Sequence, residues 1–289
     1  MSELRVLRPA DGVYAFYAGR DDRVRFSDEP NWVDVGALSL GIASYAIRSG
    51  DTAVVYDTHV SVEHARRIRA FLTAEGVRQF TVVLSHWHLD HIAGTAAFDD
   101  CEVIACELTQ ALLVEHRAAI EAGTLEGPPA IDPLVLATST FRDRHELVAG
   151  GLQLELVQTE IHSADAVLLW WPERELLLCG DTLEDTVTYV DDAERLDVHR
   201  ANLPVLSDLG PRAILPNHGD PDVIAAGGHS SGLITATDRY IELLLRAAED
   251  DGLAAMSLRE FVPLLESEDV HYFAPYEEVH RSNVAAVRR

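Results

Sequence analysis

The six positions His86, Trp87, His88, Leu89, Asp90 and His91 hold four side chains able to ligate a metal, directly behind the apolar run Phe80–Leu84. With 13 His in the chain, an H-x-H-x-D-H pattern arises by chance roughly 0.002 times per sequence, so chance is a poor explanation. In an extended loop His86 and His88 project to one side, while Asp90 and His91 can turn towards a second point nearby. Two adjacent metals can be served in this way. Imidazole suits Zn2+, and a carboxylate can hold or bridge a second ion, so the mixed donors point to zinc before calcium or magnesium.

The flanking sequence predicts the elements that would carry such a loop. Short strands rich in Val, Ile and Tyr are expected at Gly12–Tyr17, Ser39–Ile47 and Thr52–Tyr56, successive and antiparallel. Between Ser61 and Gly76, the spacing of Val62, Ala65, Ile68 and Leu72 predicts an amphipathic helix, and a further helix is expected over Glu107–Glu121. A second set of strands is read at Leu152–Val157, Ala166–Trp170 and Glu175–Cys179, with a short one at Ala213–Leu215. Helices at Asp197–Leu209, Ser230–Glu249 and Ser257–Glu266 follow. Strands then helix, twice over, imply a layered α/β or α+β architecture. No linker-like tract or repeat interrupts the chain, so residues 1–289 read as a single domain. Residues 122–146, with Gly127–Pro128–Pro129 and Asp132–Pro133, fit neither period and are a possible lid or insertion loop. Residues 228–289 read as a C-terminal helical extension that would cap the site or form a dimer face.

Composition removes several function classes. All 23 basic residues are Arg, and against 48 acidic residues they leave a net charge of −25. Without Lys there is no Schiff-base or Walker A chemistry. Strong acidity also opposes nucleic acid and anionic membrane surfaces. Three cysteines without a C-x-x-C pair speak against a disulfide framework or a cysteine zinc site. The polar N-terminus and the lack of an apolar run of about 18 residues suggest a cytoplasmic protein acting on a small molecule.

Further donors follow in order along the chain. His162 stands in Ile161–His162–Ser163–Ala164–Asp165, Asp181 in Cys179–Gly180–Asp181–Thr182, and His218 in Pro216–Asn217–His218–Gly219, each after a predicted strand. Asp57 closes Val55–Tyr56–Asp57 before the first helix. With these, the chain resembles the metallo-β-lactamase-fold superfamily of hydrolases from about residue 12 to residue 220. The resemblance implies an α+β fold, a four-layer αββα sandwich. It also implies that His86, His88 and His162 hold one metal, that Asp90, His91 and His218 hold a second, and that Asp181 bridges them. Asp57 would orient a ligand by hydrogen bonding. The remaining histidines are expected at the surface or in caps, with His59 close enough to Asp57 to approach the site.

Such a site would generate a metal-bound hydroxide at neutral pH and polarise a carbonyl. Esters, lactones, thioesters and amides all fit, with Asp90 as the orienting group or proton acceptor. We favour a dinuclear zinc hydrolase of a carboxylic ester or lactone, with iron or manganese as other possible metals. True β-lactamases of this fold usually carry Cys or Ser at the position of Asp181. Glyoxalase II binds glutathione through a basic C-terminal region, and only Arg246, Arg259 and Arg281 are offered here. Lactonases add a tyrosine after the bridging Asp, for which Tyr189 is the nearest candidate, with core packing as its other reading. The alternatives are a mononuclear iron sulfur dioxygenase using His86, His162 and Asp181, or a ligand-binding regulatory protein of the same fold. Trp87, Trp170, Trp171 and Leu183 would either line an apolar pocket or pack in the core.

Overall fold

The strand segments are apolar on both faces because both faces are covered. In β2 (Val13–Ala18) every residue is buried. Val13, Ala15 and Tyr17 face a core between two sheets, while Tyr14, Phe16 and Ala18 face a second core beneath helices. Alternation in direction without alternation in polarity is what a sheet buried on both sides requires. The structure is a computed structural model that describes residues 3–20, 25–190 and 192–288.

The first sheet runs in the order β1 (Arg5–Ala10), β2, β3 (Ile42–Ser49), β4 (Thr52–Tyr56), β5 (Gln79–Val83), β6 (Glu102–Cys106) and β7 (Ser139–Phe141). Strands β1 to β4 pair antiparallel and β4 to β7 pair parallel. The second sheet contains β8 (Arg144–Ala149), β9 (Leu152–Gln158), β10 (Val167–Trp171), β11 (Leu176–Leu178) and β12 (Ala213–Leu215), in spatial order β12-β11-β10-β9-β8. Only β11 and β12 pair parallel in it.

Helices α1 (Val62–Ala74), α2 (Leu89–Ile92) and α3 (Glu107–Glu121) belong to the first half of the chain. Ser61 caps α1 by accepting from the His64 amide, and Ala65, Ile68 and Leu72 face the first sheet. Helices α4 (Leu196–Leu209), α5 (Pro221–Ala225), α6 (Gly232–Ala247), α7 (Asp251–Ala254), α8 (Leu258–Phe261) and α9 (Tyr276–Val287) follow. Leu203 and Leu206 of α4 and Leu233, Tyr240 and Leu244 of α6 pack on Leu168, Trp170 and Leu177 of the second sheet. Helix, sheet, sheet, helix is the αββα sandwich. Among the described residues no helix is long and apolar enough to cross a membrane.

Several expectations change. Residues 122–146 are not wholly irregular, because β7 lies within them and β8 begins at Arg144. Both are edge strands, and β7, at three residues, is too brief for a period to show. The rest of that stretch is fastened down: Ile131 and Leu134 are buried, and the Trp32 indole donates to the Pro129 carbonyl at 3.0 Å. Strands β1 and β6, absent from the sequence reading, extend the first sheet. The 228–289 stretch forms α6 to α9, covering the outer face of the second sheet. The three cysteines are free.

Three tyrosines tie the halves together across the sandwich. The Tyr17 hydroxyl donates to the Gly219 carbonyl at 2.7 Å, that of Tyr56 to Val167 at 2.5 Å, and that of Tyr45 to Pro216. They come from β2, β4 and β3, and two of them grip the backbone on either side of His218. Tyr45→Phe leaves the buried Pro216 carbonyl without its donor, which costs about 1–3 kcal/mol. The expected result is a Tm lower by several degrees in thermal unfolding followed by circular dichroism. An unchanged Tm would show that the hydroxyl is dispensable.

Candidate metal centre

All the donors named from the sequence sit just past the carboxyl ends of strands. Asp57 follows β4, the His86–His91 loop follows β5, His162 follows β9, Asp181 follows β11 and His218 follows β12. Ligand sites in sheets with parallel strands gather at such ends, where the chain leaves the sheet and side chains from several turns can converge. Gly180 makes one of these turns possible. Its φ is +57°, and a Cβ there would lie 3.1 Å from the Ser85 Cβ and 3.2 Å from the Tyr56 hydroxyl. Asp57 and His162 themselves hold left-handed backbone at φ of 65° and 71°, a conformation that non-glycine residues keep only where their surroundings impose it.

Seven side chains converge into overlapping groups: His86, His88 and His162; His86, His91 and Asp181; and Asp90, His91 and His218. In the first, His88 Nδ1 lies 3.0 Å from His86 Nε2 and 3.1 Å from His162 Nε2. Asp181 Oδ2 stands between the groups, 3.1 Å from His91 Nε2, 3.3 Å from His218 Nε2, 3.8 Å from His86 Nε2 and 3.9 Å from His162 Nε2. Asp90 joins the second group with Oδ2 at 3.2 Å from His218 Nε2 and Oδ1 at 3.5 Å from His91 Nε2. These carboxylates leave little room for a bland explanation. Asp181 is 5% exposed, and its Oδ1 is buried with no hydrogen-bond partner, which a carboxylate tolerates only beside a cation or donor.

The surrounding atoms fix the imidazole tautomers. His91 Nδ1 lies 2.8 Å from Asp57 Oδ2, His218 Nδ1 lies 2.8 Å from the Gly41 carbonyl, and His162 Nδ1 lies 3.0 Å from the Tyr189 carbonyl. His86 Nδ1 is 2.9 Å from the Ser85 hydroxyl, which itself donates to Asp57 Oδ2 at 2.6 Å. In each case Nδ1 is engaged outward and Nε2 faces the cluster, the geometry a metal needs; for His91 and His218 burial opposes charge, but Asp181 and Asp90 outweigh it and hold both rings well above the ordinary histidine range. Burial, with His91 and His88 beside it, holds His86 well below the ordinary histidine range and therefore neutral. Burial would raise the Asp90 carboxyl, yet His91 and His218 more than reverse this and bring it to about 2.

The donor set therefore fits metal ions. Atoms bound tetrahedrally to one zinc at about 2.0–2.1 Å lie roughly 3.3 Å apart, close to the spacing of the three imidazole nitrogens. Three nitrogens on one side, and two nitrogens with carboxylate oxygens on the other, suit a soft-to-borderline divalent ion.

Asp57 is fully buried, and besides His91 and the Ser85 hydroxyl it accepts from the Ser85 amide at 2.7 Å and from Asn217 Nδ2 at 2.6 Å. Ser85 directly precedes His86 and Asn217 directly precedes His218, and neither takes a role from the sequence alone. Their adjacency to His86 and His218 was the available signal. The acceptors supplied by the Gly41 and Tyr189 main chains carry no side-chain signal at all. The Tyr189 ring is 39% exposed and 6.0 Å from the His162 ring, while its amide donates to Glu184 Oε1 at 2.9 Å. Burial pushes the Glu184 carboxyl up to about 8.

His116, His145 and His271 are not buried, as expected, but the other histidines depart from expectation. His64, His199, His229 and His280 are buried rather than superficial. His59 is buried too, stacked on His64 at 4.8 Å with Nδ1 accepting from the Val60 amide at 2.9 Å, and it joins none of the donor groups. Trp170, Trp171 and Leu183 are core residues. Trp87 stacks on His116 at 4.8 Å, close beside His88.

Two facing sheets, outer helices and a His/Asp cluster at their strand ends define an αββα sandwich with a candidate metal centre. The chain belongs to the metallo-beta-lactamase superfamily, whose family model matches residues 40–249. Among curated proteins it is 24% identical over 183 residues to a beta-lactamase-like protein 2 homolog of Caenorhabditis elegans, covering 62% of this chain and 56% of that one. It is 27% identical over 187 residues to an atrochrysone carboxyl ACP thioesterase of Aspergillus fumigatus, covering 64% of this chain and 53% of that one. The chain thus spans less than two thirds of the length of these relatives. Among solved structures, DIM-1 metallo-beta-lactamase superposes with a TM-score of 0.63 at 18% identity, over 84% of this chain and 99% of that one. A metallo-beta-lactamase from Pontibacter korlensis gives 0.58 at 18% identity, over 80% and 99%.

Proposed function

We propose that the chain is a dinuclear zinc hydrolase of acyl bonds, acting on a carboxylic ester, thioester or lactone. The observation that carries this is the orientation of four imidazoles by outward Nδ1–H contacts, which leaves their Nε2 atoms around a buried carboxylate. His86, His88 and His162 would hold one ion, Asp90, His91 and His218 the other, with Asp181 between them. Bound there, zinc supplies a Lewis acid and a water acidic enough to ionise near neutral pH.

The chain's own residues do the rest. Asp90, with its side chain 16% exposed, is an ionised acceptor placed to orient or take a proton. To the Tyr189 hydroxyl, on a ring 6.0 Å from that of His162, we assign contact with the substrate carbonyl oxygen. Aspartate at position 181 sets the chain apart from dedicated β-lactamases. Arg20 is engaged by Asp185 at 2.6 Å and by Asp220 at 3.6 Å, which leaves it little capacity for a substrate phosphate. The thioesterase relative makes thioesters the first class to test.

Chain purified without chelators or added metal is expected to contain two zinc ions by elemental mass spectrometry. It should also hydrolyse an acyl thioester, ester or lactone with kcat/KM above about 10^4 M−1 s−1. One iron per chain with sulfur oxidation, or hydrolysis of phosphodiesters alone, would overturn the reading. In the same assay Tyr189→Phe preserves the main-chain contact to His162 and is expected to lower kcat by about 100-fold. Unchanged kinetics would return the ring to packing.

A further inference from the structure

We propose that Asn283, on the C-terminal helix α9, is a positioning residue for the metal centre. It clamps the main chain on both sides of Tyr189, whose carbonyl holds His162. This rests on the reading that His86, His88 and His162 hold an ion.

The geometry is specific. Asn283 is fully buried. Its Oδ1 accepts from the Val190 amide at 3.0 Å, and its Nδ2 donates to the Thr188 carbonyl at 2.9 Å. One side-chain amide thereby imitates the pairing of a neighbouring strand along a stretch that has no strand of its own. The orientation of the amide is set by its partners, since an N–H needs an acceptor and a carbonyl needs a donor. The same Nδ2 also donates to the Tyr240 hydroxyl of α6 at 3.1 Å.

Every other polar group of this stretch leads back to the centre. The Tyr189 carbonyl meets His162 Nδ1 at 3.0 Å. The Tyr189 amide is held by Glu184, which also accepts from the Tyr276 hydroxyl of α9 at 2.8 Å. The Thr188 hydroxyl donates to the Asp181 carbonyl at 2.8 Å. By holding His162 Nδ1, the Tyr189 carbonyl helps keep the ring's Nε2 on the cluster. Asn283 lies 34 positions beyond residue 249, where the family-model match ends, so this support comes from outside the matched region.

The discriminating measurement is competition for Zn2+ between the metal-stripped full chain and a chromophoric chelator, fitted for two sites. Asn283→Asp keeps the shape and one acceptor but loses both donated hydrogen bonds. It should weaken one of the two zinc sites by about tenfold, the low end for loss of a ligand-orienting contact, and leave the other unchanged. Tyr240→Phe serves as the control, because it removes buried hydrogen bonds to Asn283 and His280 without touching Thr188 or Val190. It should lower Tm and leave both affinities intact. If Asn283→Asp leaves both affinities as they were, or weakens both alike, the clamp is overturned. Equal selective weakening by Tyr240→Phe overturns it as well, since the effect is then general to the helix packing. Wild-type chain that takes up fewer than two zinc ions refutes the underlying reading instead, and the proposal falls with it.

Discussion

Asp181→Ala is expected to lower zinc from two ions per chain to one or none and to abolish hydrolysis. Its Oδ2 is the one atom within 3.1–3.9 Å of four imidazole Nε2 atoms drawn from both groups. Losing a residue that merely orients a ligand costs about 10–100-fold in metal affinity, so losing this shared contact should exceed that range. The folded state should survive, because Asp181 anchors its turn through main-chain contacts: its carbonyl accepts from Thr188, and Gly180 accepts from the Asn217 amide. Metal content and activity would be measured on variant protein with a native circular dichroism spectrum. Two bound zincs with full activity would sink the bridging assignment.

Asp57→Ala should damage the fold and the centre together. The carboxylate gathers the Ser85 amide and hydroxyl, Asn217 Nδ2 and His91 Nδ1 within 2.6–2.8 Å in a fully buried place. Truncation strands those donors in the interior, and removing one partner of a buried charged pair typically costs about 3–5 kcal/mol. It also frees the His91 ring to rotate and removes the acceptor that sets the Ser85 hydroxyl, so zinc affinity should drop by about 10–100-fold. Denaturant unfolding and zinc competition would read the two effects. Excess zinc should return part of the lost stability, since an ion that binds only the folded chain favours it by mass action. A variant of native stability and native affinity would show that Asp57 is not the organiser of this corner.

How much of this was legible beforehand depends on the kind of information each residue carries. His86, His88, Asp90 and His91 were nameable because few residue types can ligate a metal and four of them fall within six positions, while His162, Asp181 and His218 came from the family resemblance and its order of motifs; the structure brings all seven together. A layered α/β or α+β arrangement was readable from the alternation of strand and helix runs, and the four-layer sandwich from the family resemblance. Edge strands were not: β7 is three residues long and lies in a stretch dominated by prolines and threonines. Nor were the groups that aim the imidazoles. Gly41 and Tyr189 act through carbonyls that every residue possesses, and Asn283 acts across 93 positions of sequence from Val190. Burial of His64 and His280 escaped notice because their partners are a serine at the head of α1 and a tyrosine on α6.

The tyrosine hydroxyls that span the sandwich bear on any attempt to engineer this chain. Because Tyr17 and Tyr45 grip the backbone flanking His218, sheet separation and donor spacing are a single mechanical quantity. Volume added to the layer between the sheets will shift an imidazole before it raises a melting temperature. Outer helical positions other than Asn283 and Tyr276 of α9 are free of that constraint, and a directed-evolution campaign for heat tolerance should confine its library to them.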